Sequence, residues 1–152
     1  MQTRAFTHSP MKLSSTVMAL GSIFMCVSTA AKADYIPPCP PPDSDVKVLS
    51  FPGGIPTSLL KLLTEHVGDI ASPGEKFDAT DVRVTGRNRR MIFVWNRGVR
   101  YVFATEHGGI GYNDPIFVYE FDPKKGTARL VSEAIAFPNT VCEIATGLIT
   151  AE

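Results

Sequence analysis

Between Arg90 and Glu133 the chain carries four β-branched and aromatic runs: RMIFVWN (Arg90 to Asn96), VRYVFATE (Val99 to Glu106), PIFVYEFD (Pro115 to Asp122) and TARLVSE (Thr127 to Glu133). Eight residues or fewer separate neighbouring runs. A parallel crossover needs a dozen or more, so these connections force an antiparallel meander. DVRVT (Asp81 to Thr85) has the same composition and extends the expected sheet to four or five strands. Asp122-Pro123-Lys124-Lys125-Gly126 supplies a turn: proline presets φ and glycine takes the left-handed position.

Ahead of the strands, Leu59, Leu62, Leu63, Val67 and Ile70 form one apolar stripe at helical spacing, with Lys61, Thr64 and Glu65 off it. The pattern predicts a helix from about Leu59 to Val67, capped by Thr57 or Ser58 and ended by Gly68 or Ser72-Pro73. His66 falls on the stripe and reads as a packed, hydrogen-bonded histidine. At the C-terminus, Thr140 to Glu143 has capping-box spacing, and Val141, Ile144, Ala145 and Leu148 share a face. A short helix is expected there, with a last strand as competitor. The fold class is therefore α+β, an antiparallel β-meander with one helix packed on a face and a possible short C-terminal helix.

The first 33 residues differ in kind. Arg4, Lys12 and Lys32 are their only charges, Val17 to Ala31 is apolar or small apart from Ser22, Ser28 and Thr29, and Ala31-Lys32-Ala33 offers small residues to a signal peptidase. This pattern predicts a secretory signal over 1–33, cleaved near Ala33, and a periplasmic or secreted protein. Met11 competes with Met1 as the start. Cys26 follows Met25, where a lipid-attachment motif needs a small residue, so no lipid anchor is expected. Residues 34–56 read as a proline-rich arm, DYIPPCPPP, plus a possible first strand VKVLSF (Val46 to Phe51); 57–152 read as a single α+β domain. Past the signal, 12 Lys and Arg face 15 Asp and Glu. This acidic balance argues against nucleic acid. No other stretch is apolar and long enough to span a membrane. Cys39 and Cys142, one near each end, pair most simply as a disulfide in an oxidising compartment.

The turn at Asn96-Arg97-Gly98 decides what each sheet face carries. A three-residue loop with Gly98 left-handed sets Trp95 opposite Val99 and groups Met91, Phe93, Trp95, Val99, Tyr101 and Phe103 on one face. A two-residue Arg97-Gly98 loop instead groups Met91, Phe93 and Trp95 with Arg100, Val102 and Ala104, but it would need arginine at positive φ, so the first register is preferred. Either way both faces are apolar, and two helices at most must cover them. The expectation is an aromatic face covered in part and rimmed by Arg97, Arg100 and Tyr119, with Trp95 and Tyr101 as contact residues. The competing expectation is that those aromatics are all core. Arg83, Arg87, Arg89, Arg90, Arg97 and Arg100 could also receive an acidic partner, a protein or an anionic glycan of the cell envelope.

The stretch ATEHGGIGYNDPI (Ala104 to Ile116) holds the longest connection between strands, where function tends to be placed. His107, Tyr112 and Asn113 are its candidate binding residues. Glu106 and His107 are adjacent on a strand and must point to opposite faces. A metal would need His107, Asp114 and His66 together. No hydrolase, metalloprotease or phosphate-loop pattern accompanies them. The sequence thus favours a small exported, non-enzymatic binding or inhibitory module without a cofactor. Its alternatives are an acid-base or metal-dependent hydrolase centred on His107 to Asp114, and a structural homodimer subunit.

Overall fold

The computed structural model describes residues 39–151 except position 83, so the signal and residues 34–38 of the arm lie outside the described residues. In chain order the elements are β1 (Lys47–Val48), α1 (Thr57–Val67), β2 (Ile70–Ala71), β3 (Arg89–Arg97), β4 (Arg100–His107), β5 (Asp114–Asp122), β6 (Thr127–Ala136) and α2 (Val141–Thr150). The strands form one sheet in the order β1-β3-β4-β5-β6, antiparallel throughout, with β2 pairing β3 in parallel at its other end. The α+β meander with a packed helix is present, and the C-terminal segment is the helix rather than a strand.

Both helices form for their apolar stripes rather than for their caps. Leu59 and Leu63 of α1 are fully buried, as are Val141 and Ala145 of α2. The expected caps are not used. Pro56 precedes α1 and Thr57 lies inside it, with no side-chain cap. The hydroxyl of Thr140 turns back to Phe137, accepting from its N–H at 3.1 Å, so the capping box at α2 is not closed. Gly68 does end α1, at φ +81°, its N–H donating to the Thr64 carbonyl at 2.9 Å. There glycine takes a conformation that L side chains avoid.

The β3–β4 hairpin departs from both registers derived from the sequence. Arg97 pairs with Arg100, Asn96 with Tyr101, and Trp95 with Val102. The loop is therefore Gly98-Val99. Gly98 has φ +61° while, among the described residues, none other than glycine is at positive φ, which is the II′ pattern that matches strand twist. Asn96 steadies the turn, its amide donating to the carbonyls of Gly98 (2.9 Å) and Arg100 (3.1 Å). No arginine has to adopt a positive φ, the cost that had weighed against a two-residue loop.

This register splits the preferred aromatic face and instead groups Phe93 and Trp95 with Val102 and Ala104, as the less favoured two-residue loop would, while the irregularity between Met91 and Phe93 sends Met91 to the other side. Phe93 and Trp95 lie with Val102, Ala104, Ile116 and Val118 against α2, while Val94 and Phe103 lie with Phe117 and Tyr119 against α1. Each helix covers one face, so the expected partly covered aromatic surface is absent. Trp95 and Phe103 are 0% exposed.

Other expected strands are shortened or missing. VKVLSF contributes only Lys47 and Val48 as strand, extended by one bond from the Leu49 N–H to the Val94 carbonyl at 2.9 Å. DVRVT is not a strand: the amides of Val84, Thr85 and Gly86 donate to the Asp78 carboxylate at 2.8 to 3.1 Å, and an amide spent on a side chain is lost to a ladder.

Cys39 and Cys142 are bonded, their Cα atoms 5.6 Å apart across 103 positions of sequence. The bond ties the arm to the first turn of α2, and buried Cys39 joins the Trp95 cluster. Closing a loop of this length stabilises by about 4 to 5 kcal/mol in the chain-entropy model. A Cys39→Ser, Cys142→Ser variant is therefore expected to lose several kcal/mol in urea unfolding. An unchanged midpoint would show that the bond does not support the fold.

Candidate functional site

The loop between β4 and β5 is built as a latch. The Gly108 N–H donates to the Asn88 carbonyl (2.9 Å), Gly109 to the Ala79 carbonyl (3.1 Å) and Ile110 to Asp81 Oδ1 (2.7 Å). Its base is closed by the His107 N–H donating to the Asn113 carbonyl at 2.8 Å, and the Asn113 amide donates to the Gly111 carbonyl at 2.8 Å. Gly108 allows the approach, since a Cβ there would lie 2.2 Å from the Asp78 carbonyl oxygen and 2.5 Å from Ala79 Cα. The facing segment is drawn in by Asp78, whose pKa is lowered chiefly by the backbone hydrogen bond from Thr85. Asn113 thus serves the loop itself, which is the anchoring role its residue type suggests.

Glu106 and His107 point to opposite faces, as strand alternation demands. On the α2 side, Glu106 pairs with Arg90 through Arg90 Nε and Oε1, and accepts from the Tyr112 hydroxyl at 2.5 Å. The Arg90 guanidinium stacks on Phe77, 4.6 Å from the ring centre. Asp114 lies on the same side and is 0% exposed, with no hydrogen-bond partner on either carboxylate oxygen. Burial, and then the charge of Glu106, push its pKa up to about 6. Tyr112 is raised by burial and by its bond to Glu106. This cluster orders the loop from inside and is closed to solvent.

His107 lies on the α1 side, its Nε2 3.0 Å from Asn88 Nδ2, and its pKa is lowered by burial and by nearby Arg89. A three-ligand metal site does not assemble, because His107 and Asp114 are on opposite faces. Among the described residues there is no group of three or more His, Cys, Asp or Glu placed to hold a metal. His66 sits elsewhere: Nδ1 is 3.0 Å from the Tyr119 hydroxyl and Nε2 is 3.9 Å from Glu133 Oε2. Tyr119 is buried, which raises its hydroxyl to about 12, too weak an acid to ionise near neutrality.

The remaining candidate contacts are dispersed. Trp95 is enclosed and cannot touch a partner. Tyr101 is half-buried against Phe103 and Phe121 on the other face. Arg97 approaches Asp43 (3.9 Å), and Arg100 pairs with Glu120 (3.5 Å) and donates to the Ala151 carbonyl. Arg87 pairs with Glu75 at 3.1 Å. Arg83 lies outside the described residues. Arg89 is held over the Phe117 ring, 5.8 Å from its centre, without an ion pair among the described residues, so the arginines of the sequence cluster are dispersed among separate contacts rather than gathered in one cationic patch.

Among the exposed large apolar side chains, Leu130, Val131, Ile135 and Phe137 fall on β6 and just beyond it, whereas Val48, Val82, Val84, Val99 and Ile110 are dispersed over other elements and loops. Beside Leu130 runs a groove of about 440 Å³ between α1 and the sheet, lined by Leu62, Glu65, His66, Tyr119, Ala128 and Arg129. Sequence reasoning missed this region. The signal was available: β6 is the last run of a meander and has no later strand to cover it. Comparison with family models, curated proteins and solved structures finds no match.

Two outcomes follow from the latch and the buried cluster. A folded pKa of about 6 against an unfolded 3.8 means the native state holds the Asp114 proton more tightly. Its contribution to stability is full below about pH 4 and is lost as pH rises through about 6. Asp114→Asn should therefore flatten the pH dependence and raise stability at pH 8 by about 1 to 3 kcal/mol, read from urea midpoints at pH 4.5 and 8. Parallel profiles for both proteins would refute this. Gly108→Ala should cost about 1 to 3 kcal/mol and speed amide exchange at Gly109 and Ile110; wild-type exchange there would mean the close approach is not required.

Proposed function

We propose that the protein is an exported, non-enzymatic binding module of the cell envelope that takes a protein partner along β6 and the groove beside it. The observation that carries this reading is the group of exposed Leu130, Val131 and Ile135 on β6, with Phe137 just beyond it, next to the groove against α1. Exposed apolar side chains grouped on one strand are a common feature of interaction sites. The Cys39–Cys142 bond suits an oxidising compartment, and among the described residues no helix is long and apolar enough to cross a membrane. An anionic glycan is less well supported, because Arg87, Arg90, Arg97 and Arg100 each approach a carboxylate of this chain. A hydrolase centred on His107 lacks support: Asn88 engages the ring and the neighbouring acid, Glu106, is committed to Arg90 and Tyr112.

A photoreactive residue at position 135 or 137 is expected to give adducts of discrete mass in envelope extract, and one at exposed Lys61 none. Leu130→Lys with Ile135→Lys should lower partner affinity at least about tenfold while changing stability by about 0.5 kcal/mol or less per site. Equal adducts at positions 61 and 135, or unchanged affinity in the variant, would remove the proposed surface.

A further inference from the structure

β6 is ten residues long, and among the described residues it pairs only with β5. Its other edge therefore presents a row of main-chain donors and acceptors that no strand of the sheet takes up. Sheet proteins protect such edges with proline, lysine, charge or bulges. β6 contains no proline or lysine and only one arginine and one glutamate. Its one guard is an extra residue, Val131, in the register shift opposite Val118 and Tyr119.

Ala128, Leu130, Glu133 and Ile135 are in register with Phe121, Tyr119, Phe117 and Pro115, and so face α1. The groove lies over the first two of these, with Leu62 and His66 of α1 as its far wall. A strand added beside β6 would run about 4.8 Å away and set alternate side chains against that groove. The polar floor asks for no charge from an occupant, because the Tyr119 hydroxyl and His66 Nδ1 already engage each other at 3.0 Å. Leu62, Ala128 and Leu130 supply the carbon surface.

Resting on the binding-module reading above, we propose that the partner is engaged through an extended polypeptide segment that adds to β6 as a further antiparallel or parallel strand and seats a large apolar side chain in the α1–β6 groove. The main-chain ladder provides affinity, and the groove reads every second residue.

The test uses a displayed library of random octapeptides selected on the purified protein. Selected peptides should carry large apolar residues at alternate positions, and Leu130→Lys should abolish their binding. Strand addition uses the amides of every other residue. N-methylation at one alternating set should therefore weaken binding at least about tenfold, and at the other set leave it unchanged. Equal effects of both sets, or none, would overturn strand addition while leaving a side-chain surface intact. Selection of no peptide would overturn the extended-segment assignment. So would a concentration-dependent dimer in sedimentation with β6 amides protected, which would assign the edge to a second copy. Failure of position 135 to crosslink would instead remove the underlying surface.

Discussion

The pairing of Arg97 with Arg100 across Gly98 and Val99 sets the composition of both faces of the sheet. Side chains alternate along a strand, so a slip of one residue would move every aromatic group of β4 to the opposite side. In the observed register Trp95 stacks on Phe93, with ring centres 4.5 Å apart, beneath α2, and Phe103 meets Tyr119 edge-on beneath α1. Two short helices then suffice. Each has to cover only half of the aromatic surface, and the disulfide at Cys142 holds α2 over its half.

The interior also contains charge, and its arrangement shows what the loop is for. Arg90 and Glu106 form a pair almost removed from solvent, an arrangement whose desolvation cost offsets much of its attraction. Glu106 is further held by Tyr112 from the loop, and Arg90 by Phe77 from the facing segment. The cluster therefore acts less as a source of net stability than as a pin joining β3, β4 and the two loops. Asp114, unpaired beside it, is the cost of closing that end of the sheet. Most residues of the eight-residue connection that invites a catalytic reading thus have a structural partner, while the Ile110 side chain stands in solvent.

What architecture does not account for is the edge. β5 is covered on both faces and paired on both sides, whereas β6 among the described residues is paired on one side, and Ile135 on it and Phe137 just beyond it stand largely in solvent. An edge so long and so weakly guarded is one that sheet proteins usually protect, and it is the feature on which the proposed binding role rests. The adjoining groove gives the same region a means of discriminating among side chains.

The sequence alone left open whether α1 ends at Gly68 or Ser72-Pro73 and whether the C-terminus is helix or strand. It determined four strands with short connections, an antiparallel meander, the apolar stripe of α1 and the cysteine pair. These follow from periodicity, turn chemistry and chain length, which act over a few residues and need no knowledge of distant neighbours. Only the tertiary structure decided which faces the aromatics occupy, because both registers considered for Asn96-Arg97-Gly98 gave credible apolar faces and the actual one shifts the turn to Gly98-Val99. It also decided that DVRVT is not a strand, since its amides are taken by Asp78, a residue outside the run. It enclosed Trp95, separated His107 from Asp114 and left β6 open. Each of these outcomes rests on contacts between residues far apart in the chain, and such contacts leave little trace in the order of residues along it.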